Sequence, residues 1–273
     1  MNKIGKIINE LTFEEKINLI HGNKYWQFNS YNKNISPVIC TDGPNGIRKQ
    51  DNHGGNSLIS GMHNVLATTY PTGSTFACFF DCKLIDKMGK SLANEFKYYK
   101  VNMILGPAAC IKRNPLCGRN FEYLREDSLL SGYIAGNYVK GVESIGCATS
   151  LKHYVANNQE YGRQINSSTL SIKCLRDIYT KGFEIATRVG NPASIMVSYN
   201  KINGIYACEN RYIMEDVLRK ECNYNGIFIS DWTAVNDPIA SMMANLNVEM
   251  LERIYTKDTY LNAYKNKKLT DAD

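Results

Sequence analysis

Residues 226–232 read GIFISDW and place a carboxylate beside an aromatic ring. The apolar residues 227–229 predict a short buried strand, so Asp231 and Trp232 come directly after its carboxyl end. A helix N-cap is one role for Asp231, because Asp is common at that position. Trp232 favours a second role, since the C–H face of a sugar ring packs on an indole while the sugar hydroxyls seek charged partners. The pair is therefore a candidate sugar-binding site.

A second polar cluster begins at Lys152 and His153, again directly after an apolar run, and extends to Arg163. One interpretation is a solvated loop in which His153 is a structural hydrogen-bonding group. The other is a binding site, because adjacent donor groups at the end of a buried strand are costly unless a carboxylate or a polyhydroxyl ligand satisfies them. Asp231 is a candidate for that carboxylate.

Two further segments carry isolated charges. Residues 41–46 read TDGPNG, which is typical of a turn, and Arg48 follows them. Asp42 can serve such a turn and bind a ligand at the same time. Arg119 lies in the segment 115–122, and it and Arg48 would each be assigned to the surface if they stood alone.

Motifs that would require a cofactor or another chemistry are missing from the sequence. It has no HExxH, no cluster of His and Cys, and no pair of carboxylates at Mg²⁺-binding spacing, so we expect no metal. It also lacks the serine-hydrolase motif GxSxG, the dinucleotide motif GxGxxG and the P-loop pattern. We therefore expect no cofactor.

The polar clusters follow short apolar runs that we predict to be strands, at residues 37–40, 101–105, 148–151, 194–197 and 227–229. Amphipathic helical segments lie between them. Strands that are apolar on both faces and separated by helices predict a parallel sheet. All strand ends face one mouth in a barrel, whereas an open sheet gathers its ligand groups at one switch point. Because polar residues follow all five runs, we predict an α/β fold of the (β/α)8 TIM-barrel type in one domain over residues 1–273.

Helices are also predicted near the two ends of the chain. Thr12 and Glu15 form a capping-box pattern, which predicts that a short helix starts there. Residues 258–273 predict a helix that is cut short.

Composition excludes several classes of protein. The chain has 273 residues, and 32 Lys plus Arg against 26 Asp plus Glu give a net charge of +6. No apolar stretch approaches 18 residues and the N-terminus is charged, so we expect no membrane span, no secretory signal and a cytoplasmic location. The nine scattered cysteines are expected to be free thiols. The dispersed basic residues do not favour nucleic-acid binding.

Five motifs, in the same order along the chain, resemble those of glycoside hydrolase family 3, the β-glucosidase family. They are DGPxGxR at 42–48, GRNFE at 118–122, KHYxxNxQE at 152–160, MVSYN at 196–200 and SDW at 230–232. The resemblance implies a TIM-type barrel that binds a carbohydrate substrate, most simply a β-glucoside.

The resemblance also implies roles for individual residues. Asp231 would be the nucleophile of a retaining glycosidase, and Tyr199 and Trp232 would line the subsite of the sugar that is attacked. The hydroxyls of this sugar would be bound by Asp42, Arg48, Arg119, Lys152, His153 and Arg163. A carboxylate nucleophile must stay ionised, and nearby cations favour that form.

Two departures from the family pattern concern the end of the chain. Retaining hydrolysis needs a second carboxyl group as acid and base. In two-domain members of the family this group comes from a C-terminal α/β sandwich, which we expect to be absent from residues 1–273. Residues 245–251 read NLNVEML where the family usually has GLDLEMP, so we expect an irregular last strand.

These departures leave three alternatives. The chain is a β-glucosidase barrel that lacks its acid and turns over poorly alone. The second alternative is a sugar-binding remnant, or one subunit of a split enzyme that a separate α/β sandwich polypeptide completes. The third alternative is a barrel too incomplete to fold well alone, with apolar surface exposed.

Overall fold

Parallel strands form the main sheet of the computed structural model, which describes residues 3–23, 25–31, 35–49, 64–252 and 257–269. Within these ranges the strands are β1 (His21–Gly22), β2 (Cys40–Thr41), β3 (Met103–Ile104), β4 (Ala148–Tyr154), β5 (Ser167–Ser168), β6 (Ser194–Val197), β7 (Lys201–Ile202), β8 (Ile205–Tyr206), β9 (Ile227–Ser230) and β10 (Glu249–Glu252). The α-helices of the same ranges are α1 (Lys3–Glu10), α2 (Phe13–Leu19), α3 (Gly73–Cys78), α4 (Cys82–Tyr98), α5 (Ser128–Glu143), α6 (Ile172–Cys174), α7 (Lys181–Gly190), α8 (Pro238–Met243) and α9 (Lys257–Lys265). A π-helical stretch at Leu175–Tyr179 leads from α6 to α7, and a second one covers Tyr212–Glu221.

Five strands form one parallel sheet in the order β2, β3, β4, β6, β9. A helix precedes most of them along the chain: α4 comes before β3, α5 before β4, α7 before β6 and the helix Tyr212–Glu221 before β9. Each helix returns the chain to the edge at which the sheet strands begin, which makes the strands parallel. The predicted α/β class with parallel strands is confirmed. The carboxyl ends of all five strands therefore meet at one edge.

Single bridges extend this sheet on both sides. β1 and β10 form a parallel pair whose register shifts between His21 and Gly22. Residues 26–28 lie between β1 and β2 and are antiparallel to both. The bridges are Ile229 with Val248, Phe28 with Gly22, and Gln27 with Ile39. Strands β5, β7 and β8 form a small sheet of their own.

Helix α5 packs closely against both α4 and α7. A Cβ atom on Gly141 would lie 2.3 Å from the carbonyl oxygen of Asp86 in α4. A Cβ atom on Gly136 would lie 2.7 Å from the Cβ atom of Val189 in α7. Both distances are shorter than van der Waals contact, so this packing requires glycine at both positions. Helix α5 also packs against β4.

The predicted helix start at Thr12 is confirmed. The Thr12 hydroxyl accepts a hydrogen bond from the Glu15 N–H at 3.3 Å, and the Glu15 carboxylate accepts one from the Thr12 N–H at 2.8 Å. The helix predicted over 258–273 is present as α9, which ends at Lys265, while residues 270–273 lie outside the described residues. The nine cysteines are free thiols. Among the described helices, none combines the length and the apolar character needed to span a bilayer.

Candidate active site

Asp231 lies directly after β9. Its N–H donates to the Val197 carbonyl at 2.9 Å and so continues the pairing of β9 with β6. The residue is only 6% exposed. Its Oδ1 accepts a hydrogen bond from the Trp232 N–H at 2.7 Å, whereas Oδ2 has no hydrogen-bond partner within the described ranges. Burial raises the pKa of Asp231, and the charge of Arg119 and the Trp232 N–H oppose this rise. One carboxylate oxygen is thus fixed, whereas the other makes no well-formed hydrogen bond and lies near His153, with the Tyr199 hydroxyl also close to the carboxylate.

Lys152 is the centre of a buried charge network. Its Nζ lies 2.9 Å from Asp42 Oδ1 and 3.6 Å from Glu122 Oε2, while Arg119 donates to the other oxygen of Glu122. Burial lowers the pKa of Lys152, but the two carboxylates outweigh burial and raise it. Burial likewise raises the pKa of Asp42, but the charge and hydrogen bond of Lys152 outweigh it and hold that pKa at about 2. Lys152 and Asp42 are therefore both charged at neutral pH.

His153 follows Lys152 near the end of β4 and is 1% exposed. Its Nε2 lies 3.6 Å from Asp231 Oδ2, and its Nδ1 lies 3.4 Å from the Tyr123 hydroxyl. Burial, together with the charges of Arg119 and Lys152, lowers the pKa of His153 well below its ordinary value. The ring is therefore neutral at pH 7, and its approach to Asp231 is a polar contact rather than an ion pair.

Arg163 is held by two groups. Its guanidinium carbon lies 4.2 Å from the centre of the Tyr199 ring, a cation–π contact, and its Nη1 lies 2.8 Å from Glu160 Oε2. The other oxygen of Glu160 accepts a hydrogen bond from Asn157 Nδ2 at 3.3 Å. Burial raises the pKa of Tyr199, so its hydroxyl stays protonated.

Trp26 belongs to the site although the sequence did not predict it. Its ring centre lies 5.5 Å from that of Trp232, and the Trp232 Nε1–H donates to the Tyr25 carbonyl at 3.0 Å. The chain has only two tryptophans, which was the one available signal. Residues 25–28 show no periodicity that would have placed them beside β9. The two indoles form an aromatic wall on one side of the site.

These side chains surround a cavity of about 290 Å³ at the carboxyl ends of the parallel strands. The cavity is lined by Trp26, Asp42, Leu105, Arg119, Lys152, His153, Arg163, Met196, Tyr199, Asp231 and Trp232. Only Arg48, among the predicted site residues, is missing from the lining. Its guanidinium lies 3.8 Å from Asp42 Oδ2, and its side chain is 49% exposed. Arg48 therefore contacts the site through Asp42.

The arrangement suits a polyhydroxylated ligand. Asp42 offers acceptors, Lys152 and Arg119 offer donors, and the aromatic wall offers an apolar surface. Two further carboxylates of the network, Glu122 and Glu160, are each held by an arginine. In the part of the chain that the structure describes, no group of three or more His, Cys, Asp or Glu side chains could hold a metal ion.

Comparisons with known proteins point to one family. The family model described as "Glycosyl hydrolase family 3 N terminal domain" matches residues 48–251. "Thermostable beta-glucosidase B" of Acetivibrio thermocellus is 40% identical over 271 residues, which are 98% of this chain and 36% of the relative. An "Exo-alpha-(1->6)-L-arabinopyranosidase" of Bifidobacterium breve is 40% identical over 272 residues, which are 97% of this chain and 35% of the relative.

A solved structure agrees with these relatives. The "Crystal structure of Beta-glucosidase from Kluyveromyces marxianus in complex with glucose" superposes with a TM-score of 0.92 at 30% identity, over 100% of this chain and 32% of that one. The chain thus spans about a third of the length of the relatives it matches. With the family model covering most of its length, the chain belongs to glycosyl hydrolase family 3.

Proposed function

We propose that this chain forms the nucleophile-bearing part of a retaining β-glycosidase and that Asp231 attacks the anomeric carbon of a β-glucoside. The observation that carries the proposal is the Asp231 carboxylate. One of its oxygens is fixed by the Trp232 N–H and the other has no hydrogen-bond partner in the described residues, in a cavity that Lys152 and Arg119 also line. Nearby cations favour the ionised form that a nucleophile needs.

The proposed reaction has two steps. An Asp231 oxygen forms a bond to the anomeric carbon while the bond from that carbon to the leaving oxygen breaks, and a proton must reach that oxygen. Water then cleaves the glycosyl ester and regenerates the carboxylate. Glu122 and Glu160 are poor candidates for the proton donor, because an arginine holds each of them as an acceptor. We propose that the donor lies outside residues 1–273, on a sandwich domain or a separate sandwich polypeptide.

The sugar would be bound by groups of both charges. Asp42, with a pKa of about 2, would accept hydrogen bonds from sugar hydroxyls, and Lys152 and Arg163 would donate them. The ring face would pack on Trp232 and Trp26. Arg48 would act by orienting Asp42, which is supported by its 3.8 Å contact and its position outside the cavity lining.

We also infer that the sheet closes into an eight-membered barrel. The order would be β1, residues 26–28, β2, β3, β4, β6, β9 and β10, with β10 returning to β1. This inference rests on the antiparallel bridges of residues 26–28 and on the parallel bridge between Ile229 and Val248. It would bring the strand ends of the candidate active site around one mouth.

A second candidate function is sugar binding without turnover. It is favoured by the engagement of Glu122 and Glu160 with arginines, which leaves the described residues around the cavity without an evident acid. General acid catalysis contributes about 10²- to 10⁴-fold. A substrate with a good leaving group needs little of that help and therefore separates the two candidates.

The test uses 4-nitrophenyl β-glucoside with the parent chain, with Asp231→Ala and with Asp216→Ala, which removes an exposed carboxylate paired with Lys220. The parent and Asp216→Ala should release nitrophenol, and Asp231→Ala should lose about 10⁴-fold or more. Added azide should restore the rate of Asp231→Ala and give the α-glycosyl azide, because azide enters the space of the missing carboxylate. A parent that binds glucose in calorimetry but releases no nitrophenol would favour the second candidate.

A further inference from the structure

Glu122 lies beside the candidate active site but does not line its cavity. The residue is only 4% exposed. Its Oε1 accepts a hydrogen bond from Arg119 Nε, and its Oε2 lies 3.6 Å from Lys152 Nζ. Arg119 and Lys152 both line the cavity. One buried carboxylate thus contacts two cations of the cavity lining, one with each oxygen.

The two cations need a carboxylate between them, because like charges that share a buried site repel each other. Burial and the charge of Arg119 lower the pKa of Lys152, but the carboxylates of Asp42 and Glu122 outweigh them and raise it. The Asp42 side chain is 31% exposed and lines the cavity, whereas Glu122 is buried behind it. Within the described residues, Glu122 is the only carboxylate that forms an ion pair with Arg119.

The backbone around Glu122 is fixed. The Arg119 carbonyl accepts hydrogen bonds from the N–H groups of Glu122 at 3.1 Å and of Tyr123 at 3.3 Å, so the chain forms a turn here. Helix α3 packs tightly on this turn, since a Cβ atom on Gly73 would lie 2.3 Å from the Glu122 carbonyl oxygen. The Glu122 carboxylate therefore projects from a rigid turn and can hold other side chains in place.

We propose that Glu122 is a positioning residue, which holds Arg119 and Lys152 at the spacing that a sugar in the cavity requires. The two cations would donate hydrogen bonds to sugar hydroxyls, and Glu122 would act on the sugar only through them. Donors that are fixed before the sugar arrives lose less freedom on binding, which favours affinity. This role rests on the proposed function, since it takes a sugar as the ligand of the cavity.

A merely structural role for Glu122 is the alternative, and Glu184 provides the matched control. Glu184 is 2% exposed and also lies between two cations, at 3.3 Å from Arg176 and 3.6 Å from Lys181, but it does not line the cavity or contact its lining cations. Substitution by Gln preserves the shape of either residue and removes one buried charge. Both variants should therefore lose stability, whereas only Glu122→Gln should change sugar binding.

Calorimetry of the 273-residue chain with glucose tests the proposal. Glu122→Gln should weaken glucose binding about ten-fold, as expected for the loss of a charged hydrogen bond, and Glu184→Gln should bind like the parent. With 4-nitrophenyl β-glucoside, Glu122→Gln should raise KM by a similar factor and leave kcat within about three-fold, because the cations hold the sugar before and during the reaction. A structural role would instead reduce the folded fraction and so lower kcat at an unchanged KM.

The Arg119→Met background tests whether Glu122 acts through the cations. There Glu122→Gln should weaken glucose binding by a smaller factor than in the parent, because one of the two side chains that it holds is gone. The proposal is overturned if Glu122→Gln binds glucose like the parent, if the two factors are equal, or if kcat falls at an unchanged KM. These results leave the proposed function intact, whereas a parent that binds no glucose would overturn both. The glucose measurement needs no turnover, so it tests Glu122 even in a chain that only binds sugar.

Discussion

The cavity that contains Asp231 and the segment 245–251 both hold polar groups, but they satisfy them in different ways. In the cavity, Lys152 is balanced by Asp42 and Glu122, so charge meets charge at distances of 2.9 and 3.6 Å. Asp42, Glu122 and Lys152 also match the sequence motifs of the family. A buried charge that has partners remains charged, and such a group suits the sugar binding that we propose.

The two asparagines of the segment 245–251 use neutral groups instead, although Glu249 in the same segment is a buried carboxylate 3.3 Å from His21 Nε2. Asn247 stands where the family usually has Asp, and its Oδ1 accepts from the Phe228 N–H at 2.8 Å and from Arg219 Nη2 at 3.0 Å. Asn245 stands where the family usually has Gly and adopts a φ of 82°, which Asn tolerates better than most residues. Both asparagines therefore satisfy their neighbours with neutral side chains, whereas the cavity keeps its charges.

The largest effect that follows from this contrast concerns Lys152. Lys152→Met should lower the free energy of unfolding by about 3–5 kcal/mol, because it removes the cation that the buried Glu122 and the partly exposed Asp42 share. Urea denaturation measures the change. Lys90→Met is the control, since Lys90 is 43% exposed in its pair with Asp86 and its loss should cost less than about 1 kcal/mol. Equal losses for the two variants would contradict the contrast.

A smaller effect is expected from His153. Its folded-state pKa is lowered well below that of an unfolded histidine, so the unfolded chain takes up a proton first as the pH falls. The free energy of unfolding is therefore unaffected by His153 above about pH 6.5. Below that pH it falls by up to about 1.4 kcal/mol per pH unit. His153→Gln should therefore flatten the fall in unfolding free energy between pH 7 and pH 5. A variant that loses stability as steeply as the parent would show that His153 is not buried in its neutral form.

The smallest effect on the free energy of unfolding concerns the two asparagines of the segment 245–251. Asn247→Asp should raise the free energy of unfolding by about 1 kcal/mol, because Arg219 would then donate to a charged acceptor. Asn245→Asp should act in the opposite direction, since the Asn245 amide donates to the Glu215 carboxylate and Asp would place two carboxylates together. Thermal unfolding of both variants measures the two signs. If Asn247→Asp destabilises the chain, the position has been adapted to a neutral residue.

Sequence patterns predicted the parallel sheet because its strands are apolar on both faces and alternate with helices. The strand predicted at 194–197 coincides with β6, and that at 227–229 with most of β9. The cavity residues that follow these strands were found because polar groups after buried strands are conspicuous. Trp26 was missed, because its place depends on antiparallel bridges that have no local signal.

Arg48 is a residue that the sequence assigned to the cavity and that the structure places outside its lining. Its motif placed it among the sugar-binding residues, yet the structure positions its guanidinium against Asp42 and outside the cavity lining. A motif records which residues accompany a site, but it does not distinguish a residue that lines the cavity from one behind it. That distinction depends on side-chain direction, which spacing along the chain does not encode.

The central claim is that Asp231 forms a covalent bond to the sugar. The most direct measurement treats the 273-residue chain with 2-deoxy-2-fluoro-β-glucosyl fluoride, digests it and locates the added mass by tandem mass spectrometry. Fluoride is a leaving group that needs no protonation, so a missing acid does not prevent the first step. We predict one glycosyl group on Asp231 and protection by excess glucose. A label on any other residue, or the same label in Asp231→Ala, would contradict the account.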